Sequence, residues 1–70
     1  MAAHPVIVYP PSPTGGRRVR VVGEILGLAF NLADVVEFLR RAGLDTIDET
    51  DVTMSTLVEW RGGGPDVWTP

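Results

Sequence analysis

The sequence predicts an α+β domain: a small antiparallel sheet of three to four strands with one helix packed on it, in the order β-β-β-α-β. Three observations lead there. Residues 17–21, RRVRV, alternate polar and apolar side chains, which is the strand period. Residues 31–42, NLADVVEFLRRA, repeat apolar side chains at helical spacing. Glycine and proline clusters then separate short β-branched runs from one another. A chain of 70 residues holds one domain, 1–70, with 1–4 and 69–70 expected to be flexible ends.

The first strand is Val6-Ile7-Val8-Tyr9, kept short by Pro5 and Pro10. PPSPTGG, residues 10–16, is a stiff proline- and glycine-rich loop. The second and third strands form a hairpin about Val22-Gly23. A two-residue turn there sets Val21 opposite Glu24 and Val19 opposite Leu26. Val19, Val21, Leu26 and Leu28 then share one face, and Arg18, Arg20 and Ile25 the other. One feature resists this turn, because Val22 is a poor residue for positive φ.

The helix has Asn31 as its cap and Asp34 where a capping-box acid belongs. Leu32, Val35, Val36 and Leu39 form its apolar stripe, widened by Phe38 and Ala42. Glu37 and Arg41 are an i, i+4 pair in the favourable order. Gly43 supplies the left-handed stop, with Leu44 closing back on Leu39. Residues 45–55 are acidic and weakly patterned, either a loop or a single helical turn. Residues 56–60, TLVEW, alternate again as the last main strand, with Trp60 toward the core. GGGPD then turns the chain, and Val67-Trp68 is a short return strand at most.

Composition narrows the function. There is no cysteine, which excludes disulfides and thiolate metal sites. A net charge of −3 argues against nonspecific nucleic-acid binding. The start of the chain lacks the basic and apolar regions of a signal peptide. The longest apolar-leaning stretch, GEILGLAFNLADVVEFL, holds three acids and does not suit a membrane span. The expectation is a soluble cytoplasmic protein.

The chemistry-bearing motifs are few. Gly62-Gly63-Gly64-Pro65 has neither the lysine of a phosphate loop nor a following helix, so it reads as a turn. Asp45, Asp48, Glu49 and Asp51 fail the calcium-loop pattern, because Thr50 and Thr56 fall where glycine and glutamate are needed. His4 and the two serines, Ser12 and Ser55, have no catalytic companions in a fixed element. No catalytic residue, metal ligand or cofactor is assigned, and the chain is not expected to be an enzyme.

The contact candidates are Tyr9, Pro11 and Pro13, because proline-rich segments suit aromatic-lined grooves, and Trp68, an aromatic near the chain end. Arg17, Arg18 and Arg20 are the one basic cluster. They read as a solvated strand face guarding an edge, or alternatively as a nucleic-acid contact. The acidic loop would also complement that strand in a neighbouring molecule.

The segments NLADVVEFLRRAGL and EWRGGGPDVW resemble a group of small uncharacterised actinobacterial proteins of Streptomyces type. Arginine without lysine is in keeping with that source. The likeness runs from VIVYPP to PDVW and implies a single domain. It brings no activity, cofactor or functional residue with it. The functional expectation is therefore a non-catalytic protein-interaction or adaptor module with an unidentified protein partner, the homodimer being one form. Nucleic-acid binding through Arg17–Arg20 is the alternative.

Overall fold

The structure is a computed structural model, and it describes residues 5–44 and 46–69. The expected flexible residues 1–4, with His4, and position 70 lie outside the described residues, as does Asp45. The chain runs β1 (Val6–Val8), β2 (Arg17–Val21), β3 (Glu24–Ala29), α1 (Leu32–Arg41), α2 (Glu49–Met54) and β4 (Val58–Trp60). The four strands make one sheet in the order β3-β2-β1-β4. Both helices lie on one side of it, and the fold is α+β.

Several details depart from expectation. The sheet is mixed, because β4 pairs with β1 in parallel, Val6 to Val58 and Val8 to Trp60. From β3 the chain crosses the sheet through the helices and enters on the free side of β1. A crossover of that length is what parallel pairing needs. The acidic stretch also contains a real helix, α2. Asp48 caps it by accepting from the Asp51 amide, and Asp51 returns the bond from the Asp48 amide. This reciprocal box satisfies two orphan donors, and acids in the first turn favour the helix dipole. Val67-Trp68 forms no strand.

The hairpin turn does form, with Val22 at φ 49. Val21 faces Glu24 as the alternation demands. The register then slips between Val19 and Arg20, so that Val19 faces Gly27 and Arg20 faces Ile25. Leu26 is the extra residue of a β-bulge. Gly27 sits at φ 151, and a Cβ there would lie 3.1 Å from Cζ of Phe38. Only glycine lets the strand bend and the helix approach together. The slip turns Leu28 outward beside Arg18, not inward with Val19 as the hairpin pattern predicted.

Helix α1 behaves as its sequence implies. The Asn31 side chain accepts from the Asp34 amide at 2.9 Å, and Asp34 accepts from the Phe30 amide. At the other end the Leu44 amide donates to Leu39 O and the Gly43 amide to Arg40 O, the paired bonds of a Schellman stop. Val35, Val36 and Leu39 from α1 and Val52 from α2 are buried against Val6, Val8, Val19, Ala29 and Val58 of the sheet. The core is thin and valine-rich, as a chain of this size allows. Among the described residues no helix is long and apolar enough to cross a membrane.

Candidate functional site

Alternation along β2 puts Arg17 on the same face as Val19, toward the helices. There it is fully buried, at 0% exposure. Its guanidinium uses all five N–H donors. Nε donates to Tyr9 O at 2.8 Å. Nη1 donates to Gly64 O at 2.7 Å and Val67 O at 2.8 Å. Nη2 donates to Arg61 O at 2.8 Å and Gly63 O at 2.9 Å. The cation also lies 5.3 Å from the Trp60 ring centroid and 5.6 Å from that of Trp68. The two indoles meet edge to face at 89°. Five carbonyl dipoles and two π-faces thus surround the charge in place of water.

This arrangement explains WRGGGPDVW. The glycines let the chain wrap a planar ion with its carbonyls inward. A Cβ on Gly62 would lie 2.6 Å from Cβ of Pro10, and one on Gly63 would lie 2.9 Å from Cβ of Val67. Pro65 begins the closing turn, in which the Val67 amide donates to Gly64 O. The Trp68 Nε1 donates to Pro65 O at 2.8 Å. Burial lowers the Arg17 pKa from its ordinary value through desolvation. The guanidinium still stays charged at any physiological pH.

Arg17 therefore leaves the set of exposed contact residues: it has no donor left for a phosphate or a carboxylate. Trp68 is likewise occupied, half-buried against Arg17 and Trp60. Neither belongs to a solvated strand face or a protruding hook.

The remaining candidates gather on the opposite face of the sheet, which neither α1 nor α2 covers. Cross-strand register aligns Ile25, Arg20, Ile7 and Glu59 in one row. Leu28, Arg18 and Tyr9 form the next row, with Arg61 beyond them. Arg20 Nη1 donates to the Tyr9 hydroxyl at 3.1 Å, and the Arg61 guanidinium lies 5.6 Å from the Tyr9 ring centroid. Arg61 is also paired with Glu59, whose hydrogen bond raises the arginine's pKa.

Tyr9, Pro10, Ser12, Pro13, Arg18 and Leu28 line a depression of about 240 Å³. The loop that forms its rim is pinned by the Ser12 amide on Gly16 O and the Gly15 amide on Ser12 O, both at 2.9 Å. Pro11 lies half-buried in the same loop. Of the sequence candidates, the structure brings Tyr9, Pro13 and Arg18 together, with Arg20 and Pro11 adjacent.

Sequence reasoning placed Ile25 on this face with Arg18 and Arg20 but missed Leu28 and Arg61 as members of it. Leu28 was hidden by the bulge. Arg61 carried a usable signal, since it follows Trp60 in an alternating strand whose Trp60 points inward. The face is basic, with Arg18, Arg20 and Arg61 against Glu59. The two helices and the Asp48 cap instead carry Asp34, Glu37, Asp48, Glu49 and Asp51 against Arg40 and Arg41. The chain's net negative charge thus conceals a basic sheet face opposite an acidic helical layer.

No family model, no curated protein and no solved structure matches this chain.

Proposed function

We propose that this is a small non-catalytic, cytoplasmic protein-interaction module that recognises its partner on the uncovered face of the sheet. The observation that carries the reading is the composition of that face. Leu28 is half-exposed beside Arg18 and Tyr9 in a depression rimmed by a stiffened proline loop, and Ile25 is half-exposed beside Arg20 in the next row. Apolar area supplies affinity there, and arginine with tyrosine supplies orientation. A partner presenting apolar side chains among carboxylates fits it best.

Crosslinking tests the reading. A photoreactive side chain at position 13, on the loop rim, is compared with one at position 50, on the helical layer. Capture of one defined partner from 13, abolished by Arg18→Glu and absent from 50, is the expected result. Equal capture from both positions, or capture indifferent to Arg18→Glu, defeats it.

A second reading draws on Tyr9. It stands among Arg18, Arg20 and Arg61, so an aromatic platform does accompany the arginines, as single-stranded nucleic acid requires. Retardation of an oligonucleotide that fades steeply with salt and is lost in Tyr9→Ala supports this reading. No retardation at low salt removes it.

A further inference from the structure

We propose that β3 is the seam of a homodimer, two copies pairing antiparallel through this edge strand so that their four-stranded sheets become one. The inference shares Ile25 and Leu28 with the surface described above but requires no other partner, so either can fail alone.

Strand β3 ends the sheet, with β2 on one side and, among the described residues, no strand on the other. It runs for six residues, and Glu24 is its only charged one. Edge strands are ordinarily blunted by charge, proline, shortness or a bulge; along 25–29 β3 shows none of the first three and carries only the bulge at Leu26. The exposed apolar residues concentrate here. Of six large ones among the described residues, Val22, Ile25, Leu28 and Phe30 lie between positions 22 and 30.

Their spacing is what identifies the occupant. Take a two-fold axis between Leu26 and Gly27. Antiparallel pairing then sets Ile25 of one copy opposite Leu28 of the other, and the reverse. It also brings the Val22-Gly23 tip of each copy beside Phe30 of its mate. The bulge makes this work: it puts Ile25 and Leu28, three positions apart, on the same face of the sheet. Without it they would point to opposite faces. A self-complementary stretch of this kind is what an isologous contact requires.

Charge is compatible with the same register. Each Ile25–Leu28 pair is flanked one strand away by Arg18 of one copy and Arg20 of the other. Those arginines stand three strand spacings apart, about 14 Å, beyond the Debye length at physiological salt. Their aliphatic stems can cover the apolar pairs while the charged ends stay in water. A strand-to-strand seam falls short of the roughly 800 Å² per partner of stable complexes. The dimer is accordingly reversible, with a dissociation constant on the order of tens of micromolar.

Sedimentation equilibrium of the full chain, loaded from about 5 to 500 µM to bracket that constant, tests it. The wild type is expected to pass from monomer to dimer across this range. Ile25→Lys and Leu28→Glu each remove two apolar pairs from the seam and weaken association about tenfold or more. Both positions are half-exposed in the monomer, so the fold, checked by circular dichroism, persists.

Mixing Ile25→Lys with Leu28→Glu sets the introduced ammonium of one copy against the introduced carboxylate of the other. The second pair of the seam stays apolar. Association is restored in the mixture, whereas neither variant recovers alone. A wild type that stays monomeric at the highest loading overturns the proposal. So does a dimer indifferent to both substitutions, or a mixture that stays as weak as its components.

Discussion

Replacing Arg17 tests the most unusual feature of the fold. Arg17→Met keeps the aliphatic stem but removes the five donors that hold Tyr9 O, Arg61 O, Gly63 O, Gly64 O and Val67 O. A hydrogen bond from a charged donor is worth about 1.5–3 kcal/mol. Five of them sum to more than the variant can lose, because residues 61–68 can swing out and rehydrate their carbonyls. The loss is bounded by what docking that segment is worth. That includes about 2–3 kcal/mol for an aromatic side chain such as Trp68. A net cost of about 3–5 kcal/mol is expected, the worth of docking that aromatic together with about one charge-assisted hydrogen bond that rehydration does not recover. A domain of this length has roughly 4–10 kcal/mol in all, so the variant is near the limit of folding.

Arg17→Lys keeps the charge but offers three donors and no plane, and it loses about 2–3 kcal/mol. Urea unfolding followed by circular dichroism measures both losses, and the native tryptophan emission reports the segment. A methionine variant within about 1 kcal/mol of wild type, with unchanged emission, would mean that the carbonyl cage does not hold the segment in place.

Other substitutions probe the remaining elements. Val22 has φ 49 and is 80% exposed, so Val22→Asn relieves left-handed strain at no packing cost and raises stability by about 1 kcal/mol in dilute thermal unfolding. Gly27→Ala puts a methyl against Phe38 at a backbone angle alanine avoids, and costs about 2 kcal/mol by urea midpoint. Asn31→Ala removes the α1 cap and costs about 1 kcal/mol, read the same way. Glu37→Gln, at an exposed ion pair, changes stability by less than about 0.5 kcal/mol; a larger change would mean the pair is not solvated as described.

Local physics made part of the fold legible. The α1 cap, its stripe and its Gly43 stop each depend on residues within one or two turns, and all are present in the sequence. The Val22-Gly23 turn was legible for the same reason, strain included. Non-local choices were not. Nothing near Val58 says that β4 will run parallel to β1, because the crossover length decides it. The bulge at Leu26 follows from Gly27 meeting Phe38 of the following helix, and it reversed the reading of Leu28. Helix α2 was obscured because Asp48 and Asp51, its capping box, sit in a run of acids that also suits a loop.

Arg17 is the instructive case. Its phase with Val19 already placed it on the core face, but a row of arginines reads as solvated. Its partners are carbonyls, which carry no residue signature. The only trace of them is the glycine run at 62–64, whose missing side chains make room for the wrap.

Whether residues 61–68 are closed on Arg17 decides whether Trp68 is free to make other contacts, and a single-tryptophan variant reads that closure. Trp60→Phe leaves Trp68 as the sole indole and retains an aromatic ring against it. Its emission maximum and acrylamide quenching are then recorded in dilute solution. A closed segment gives a blue-shifted, partly protected indole that becomes exposed only on unfolding, as befits a ring stacked on a caged guanidinium. A red-shifted Trp68, quenched as readily as in the unfolded chain, would mean that the cage is open. Trp68 would then be free to make other contacts.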